Sequence, residues 1–246
     1  MNRKDEIKYR KHFDKECDNY YRKYHMKNIA GHSFRSRMKL AFSMLDKHKL
    51  GNLLDAGGGP GLYYSFFKNK FDKYHLIDIS SEMIAKAAID NNSEKNFKCK
   101  TASVYEIPYK NNTFDTVLVM GVMEYLEFPK QGLLDIKRVT KKDGIILVSY
   151  PNKNSPMRKM TSIIYKFFNK SNPFASKMFT KEEVKLMAED LELSIIEIKG
   201  YNAQLIPFPL TWKIGRLSYF LAVIFEPFLN VIGSMWGTAF IIKLKK

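Results

Sequence analysis

Cysteine is nearly absent from this 246-residue chain: Cys17 and Cys99 stand far apart, with no Cys-x-x-Cys and no Cys/His cluster. That excludes a disulfide framework and a cysteine-based zinc site, so no metal is expected and a reducing cytoplasm is the expected compartment. Long apolar runs are missing as well. The least polar stretch, Leu217 to Ile242, is interrupted by Glu226 and Pro227, and each half falls short of the roughly 20 residues that a spanning helix needs. The first 16 residues hold no apolar core, so no secretory signal peptide is expected. Acidic residues are the third shortage, 25 against 41 Lys and Arg, for a net charge of +16. No repeat or low-complexity segment occurs, and with 45% hydrophobic residues the chain is neither fibrous nor disordered.

The charge is unevenly spread. Residues 1–50 carry 14 basic and 6 acidic side chains, residues 51–150 carry 13 and 12, and residues 151–246 carry 14 and 7. A nearly neutral middle between basic flanks points to an anionic partner met by the flanks: nucleic acid, anionic lipid or an acidic small molecule.

Periodicity divides the chain. Ser33 to His48 reads as an amphipathic helix with Phe34, Met38, Ala41, Phe42 and Leu45 on one face, stopped by Gly51. Strands then alternate with helices: Asn52 to Ala56, Tyr74 to Ile79, Phe97 to Thr101, Phe114 to Met120 and Gly144 to Tyr150 as strands, with helices over Leu62 to Lys68, Ser81 to Asn91 and Gln131 to Val139. Such alternation predicts βαβ units around a mostly parallel sheet. Beyond Pro151, a helix is expected over Met157 to Asn169, and Thr180 with Glu183 forms a capping-box signature for a helix to about Asp190. Leu193 to Lys199 and Gly237 to Lys243 read as two further strands, flanking an apolar, aromatic segment from Tyr201 to Trp236 expected to hold one or two helices.

Leu53 to Gly61, LLDAGGGPG, carries the chemistry. Its spacing is Asp55-x-Gly57-x-Gly59-x-Gly61, at the end of a strand and ahead of a helix, where the backbone bends sharply and a ligand approaches without meeting a Cβ. A dinucleotide fingerprint from Gly57 requires a glycine where Leu62 stands, and a Walker A loop requires Lys and Ser or Thr where Leu62 and Tyr63 stand. The loop itself contains no Lys or Arg, in keeping with a neighbouring ligand group that is not a phosphate.

This segment resembles motif I of the class I S-adenosyl-L-methionine-dependent methyltransferases of the ubiquinone/menaquinone-biosynthesis type (methyltransferase type 11). Asp78, 23 residues after Asp55, stands where relatives hold the two ribose hydroxyls with an acidic residue, followed by Ile79 against the adenine. SVYEIPYKNNTFD, from Ser103 to Asp115, is similar to the family's segment entering the fourth strand, with Ser103 in place of the Asp that meets the adenine amino group and Val104 offering its N–H to the ring. GVMEYL, from Gly121 to Leu126, and RVTKKDGIILVSYPN, from Arg138 to Asn152, are similar to the stretches after the fourth strand and into the fifth. The resemblance spans about residues 50–152. It implies an α/β, Rossmann-like fold: a seven-stranded mostly parallel sheet, helices on both faces and an antiparallel last strand. It also implies S-adenosyl-L-methionine as cofactor, leaving S-adenosyl-L-homocysteine, with Asp55, Ala56, Gly57, Gly58, Gly59, Gly61, Asp78, Ile79, Ser103, Val104 and Met120 around it. Tyr20 matches a lid tyrosine of the family's entry segment.

The organisation expected is a helical lid over 1–50, a cofactor-binding core over 51–152, and a C-terminal part of the same domain over 153–246, whose insertion near 201–236 roofs the acceptor. Glu124, Tyr125 and His25 are the candidate bases near the methyl end. Base-methylating enzymes of the Asn/Asp-Pro-Pro-Tyr/Phe type hold a flipped base after the fourth strand, where this chain reads Gly121-Val122-Met123-Glu124, and neither cysteine follows a proline as a C5-cytosine nucleophile would. Nucleic acid thus rests on charge alone. The expected activity is methyl transfer to a small-molecule or lipid-like acceptor, through an oxygen nucleophile, in the cytoplasm or peripherally at an anionic membrane. RNA methylation and non-catalytic cofactor binding are the alternatives.

Overall fold

The computed structural model describes residues 4–167, 177–203 and 214–246. Seven strands form one sheet: β1 (Asn52–Ala56), β2 (Lys73–Asp78), β3 (Phe97–Thr101), β4 (Phe114–Val119), β5 (Thr140–Pro151), β6 (Ser194–Ala203) and β7 (Gly237–Lys245). Their spatial order is β3-β2-β1-β4-β5-β7-β6. Pairings from β3 through to β5 are parallel, and β7 alone runs opposite, antiparallel to β5 and to β6. This is the Rossmann-like sheet with an antiparallel last strand that the motifs imply. Strand order reverses between β1 and β4, and an open α/β sheet binds its ligands at the strand ends beside such a reversal.

Among the described residues, the α-helices are α1 (Lys4–His25), α2 (Ile29–Leu45), α3 (Leu62–Phe67), α4 (Ser81–Asp90), α5 (Pro129–Val139), α6 (Pro156–Phe167), α7 (Lys181–Asp190) and α8 (Gly215–Trp236). Side chains alternate across the sheet with the strand period of two. Leu54, Val117, Val119, Ile146, Val148, Phe240 and Ile242 pack with Leu133 and Ile136 of α5 and Val184 and Ala188 of α7. Leu53, Leu118, Leu147 and Ile241 face the other way, onto Ala41, Met44 and Leu45 of α2 and Tyr63, Tyr64 and Phe67 of α3. Burial on both faces explains why β4 and β5 read as continuous apolar runs.

Local signals place several ends. Asn28 caps α2, accepting from the Gly31 N–H, so this helix begins four residues before the amphipathic pattern from Ser33. The Thr180–Glu183 capping box forms, each side chain bonding the other's backbone N–H. Helix α8 continues through Glu226 and Pro227, so the apolar segment holds one helix there. A proline removes one backbone donor without having to end a helix. Residues 168–169 of the expected sixth helix, and Leu205, Ile206, Phe208 and Trp212 of the expected roof, lie outside the described residues. Among the described residues, no helix is long and apolar enough to cross a membrane.

Candidate active site

The chain leaves β1 through the glycine loop, where Gly57 takes φ 76° and a Cβ would come within 2.3 Å of Val122 Cγ2. Only glycine fits there. The N–H groups of Gly57 and Gly58 donate to the Ile77 carbonyl at 2.7 and 3.2 Å. The Gly59 N–H donates to Asp78 Oδ2 and the Ser80 N–H to Oδ1, both at 2.9 Å. The carboxylate ending β2 therefore shapes its neighbour's loop. Burial pushes the Asp78 pKa up to about 6, against the pull of these N–H donors.

Above the loop lies an open cavity, about 680 Å3 of empty space when its mouth is counted. Gly57, Gly59, Asp78 and Ile79 form one wall, Ala102, Ser103 and Val104 the wall after β3, and Gly121, Val122, Tyr125 and Leu126 the wall after β4. Glu6, Tyr9, Phe13 and Tyr20, one face of α1, close it. The Tyr125 ring lies 5.0 Å from Tyr9 and 5.1 Å from Phe13, centroid to centroid. Helix α1 is also tied down by polar contacts: the Ser80 hydroxyl donates to Asp14 at 2.6 Å, and the Ser103 hydroxyl donates to Glu6.

Behind Gly121 sits Arg37 of α2, only 7% exposed. Its Nη2 donates to the hydroxyls of Tyr24 at 3.0 Å and Tyr20 at 3.3 Å, and its Nε has no partner. Gly121, at φ 78°, leaves no space for a Cβ, which would meet Arg37 Nη1 at 2.2 Å. The guanidinium is buried behind the cavity wall, and its charge acts on the Asp55 and Glu124 carboxyls nearby.

Of the residues expected around the cofactor, Tyr20, Gly57, Gly59, Asp78, Ile79, Ser103 and Val104 line the cavity. Asp55, Ala56, Gly58, Gly61 and Met120 stand outside its lining. Asp55 is 1% exposed, with Oδ2 accepting from the Tyr74 hydroxyl at 2.6 Å and Oδ1 unpartnered. Burial pushes its pKa up to about 7, the Tyr74 bond opposing and the nearby Asp78 charge adding. Of the candidate bases, Tyr125 lines the cavity, and burial raises its phenol well above the ordinary value. Glu124 lies next to it with Oε2 buried and unpartnered, and burial raises its carboxyl too. His25 is exposed at the end of α1, its ring 5.3 Å from that of Tyr21, and outside the lining. Glu6, Tyr9, Phe13 and Arg37 carry no sequence motif, because a charged helix and a lone arginine look like solvated surface. The helical spacing of Glu6, Tyr9, Phe13 and Tyr20 was the one available signal.

A sheet of this order with a glycine loop after β1 and a carboxylate ending β2 is the class I methyltransferase architecture. Residues 54–148 match the family described as methyltransferase domain. The chain is 29% identical over 164 residues to an uncharacterized protein of Methanocaldococcus jannaschii, covering 65% of this chain and 66% of that one. It is 32% identical over 108 residues to an uncharacterized methyltransferase of Schizosaccharomyces pombe, covering 40% and 39%. The matched stretch thus spans less than two thirds of either relative. Magnesium protoporphyrin IX methyltransferase from Synechocystis, solved with bound S-adenosylhomocysteine, superposes over 98% of this chain and 99% of its own, with a TM-score of 0.71 at 14% identity. Residues 54–148 thus match a methyltransferase domain, and the fold is that of a solved methyltransferase that binds S-adenosylhomocysteine.

Proposed function

We propose that this protein transfers the methyl group of S-adenosyl-L-methionine to a small-molecule or lipid-like acceptor, with oxygen as the nucleophile. The carrying observation is one cavity that brings together the glycine loop, the Asp78 carboxylate and the aromatic wall of Tyr9, Phe13 and Tyr125. The residues fit such a cofactor. Asp78, on the cavity wall, retains acceptor capacity for ribose hydroxyls, and the Gly59 loop lets a ligand approach closely, with Tyr20 Cε1 3.7 Å from where a Cβ would stand. Arg37 suits the methionyl carboxylate, and aromatic faces suit a sulfonium cation.

When bound, this cofactor supplies an electrophilic methyl group, leaving the protein to place the acceptor in line. An oxygen nucleophile also has to lose a proton. Glu124, beside Tyr125, is the carboxylate proposed to take that proton; burial raises its carboxyl, with its own backbone N–H and the Arg37 and Arg158 charges opposing. The Tyr125 phenol, raised by burial, keeps its proton at that pH and serves as a hydrogen-bond donor.

Support for an amphipathic acceptor comes from α6 and α8. Ile163 and Phe167 are 66% and 83% exposed, Leu217 and Phe220 54% and 58%, and Lys159, Lys166 and Arg216 are exposed on the same two helices. Apolar and basic side chains together favour peripheral contact with anionic lipid. Calorimetry with S-adenosylhomocysteine tests the cofactor, and transfer of a labelled methyl group to hydroxylated against amine acceptors tests the nucleophile. Failure to bind S-adenosylhomocysteine sinks the reading. Sedimentation with anionic vesicles tests the surface, and no binding at low salt counts against it.

A further inference from the structure

We infer that Glu6, carried by α1, recognises the exocyclic amine of the cofactor's purine base. The inference rests on the cofactor reading above and concerns one end of the same cavity. With the ribose on Asp78, a base continues past Ile79 towards Ala102, Ser103 and Val104, all of which line the cavity. Ile79, Ala102 and Val104 offer apolar surface to a flat ring.

The edge of the ring meets two polar side chains there, Ser103 and Glu6. The Ser103 hydroxyl donates its single proton to Glu6 Oε1 and accepts from the Tyr105 N–H at 3.0 Å. Having spent its proton and one lone pair, it leaves the carboxylate as the stronger acceptor at this end, since an ionised carboxylate offers about four lone-pair sites. An amine donor is matched by that charge, whereas a ring carbonyl at the same position would face it acceptor to acceptor. The chain thus places its base-reading carboxylate on the lid, 97 residues from Ser103.

The lid position has a consequence. Glu6 at Ser103, Asp14 at Ser80 and Tyr20 at Arg37 tie α1 down at three points along the cavity. The side chain that reads the base thus also helps hold α1 over the cavity.

The test compares S-adenosylhomocysteine with its 6-desamino analogue by calorimetry, on the wild-type chain and on Glu6→Ala. Wild type is expected to bind the desamino analogue about tenfold or more weakly, the worth of a charge-assisted hydrogen bond. Glu6→Ala is expected to lose a similar factor for S-adenosylhomocysteine and to bind the two ligands within about twofold of each other, since the deleted partner is the one that tells them apart. Equal binding of the two ligands by wild type overturns the inference without relying on any variant. Undiminished discrimination by Glu6→Ala overturns it as well, because another group then reads the amine. Should Glu6→Ala disturb α1, the isosteric Glu6→Gln is used, and its discrimination has to fall by at least about threefold. Wild type that binds neither ligand refutes the cofactor reading itself, an outcome distinct from these.

Discussion

The Gly59 N–H donates to Asp78 Oδ2 at 2.9 Å, so the loop leaving β1 is held by the carboxylate that ends β2. Asp78 does two things at once: it sets the loop and it presents a charge to the cavity. Asp78→Ala should weaken S-adenosylhomocysteine binding at least about tenfold. Calorimetry reads this directly, and undiminished affinity would remove Asp78 from the site.

Binding should also depend on pH. Burial holds the Asp78 carboxyl near 6 in the free protein, and ribose hydroxyls can donate fully only to its ionised form. Affinity is therefore expected to be full above about pH 7 and to fall as pH drops through 6, with a limiting slope of about one decade per pH unit. A flat profile between pH 5 and 8 would contradict it.

Asp55 affects stability with a definite sign. Its folded pKa near 7 lies above the ordinary 3.8, so between these values the folded chain holds a proton that the unfolded chain releases. The resulting stabilisation is present below pH 4 and is lost as pH rises through 7. Asp55→Asn keeps an acceptor for Tyr74 and removes this dependence. Relative to wild type, the variant should gain on the order of a few kcal/mol between pH 5 and pH 8. Thermal unfolding at the two pH values checks it, and an equal difference at both would count against it.

Gly121 separates the cavity from Arg37. In Gly121→Ala the new Cβ would stand 2.2 Å from Arg37 Nη1 on a backbone at φ 78°. Stability should fall by about 1–3 kcal/mol, and S-adenosylhomocysteine binding should weaken as the guanidinium is displaced. Urea unfolding with calorimetry measures both; a variant unchanged in each would show that Arg37 moves aside freely.

Much of this was legible in the chain before folding. The glycine loop, Asp78 at the end of its strand and the Thr180–Glu183 cap are short-range patterns, and local geometry follows from them. Arg37 and Glu6 were not legible. Each is a charged residue in a basic N-terminal segment, where +8 of net charge falls within 50 residues, and composition assigns such residues to solvent. Burial of Arg37 depends on phenols at Tyr20 and Tyr24, which only the packing of α1 against α2 brings to it.

The sequence by itself determined the class of fold: alternating strands and helices dictate a parallel sheet, and the spacing from Asp55 to Gly61 dictates where it opens to a ligand. Tertiary structure decided which polar groups share the cavity, because partners such as Glu6 and Ser103 lie 97 residues apart and no local pattern couples them. It also put the basic N-terminal flank to a use that charge alone did not specify. One face of α1 carries Glu6, Tyr9, Phe13 and Tyr20 over the cavity, and α2 keeps Arg37 dry behind it, since helix packing buries a face wherever its net charge lies.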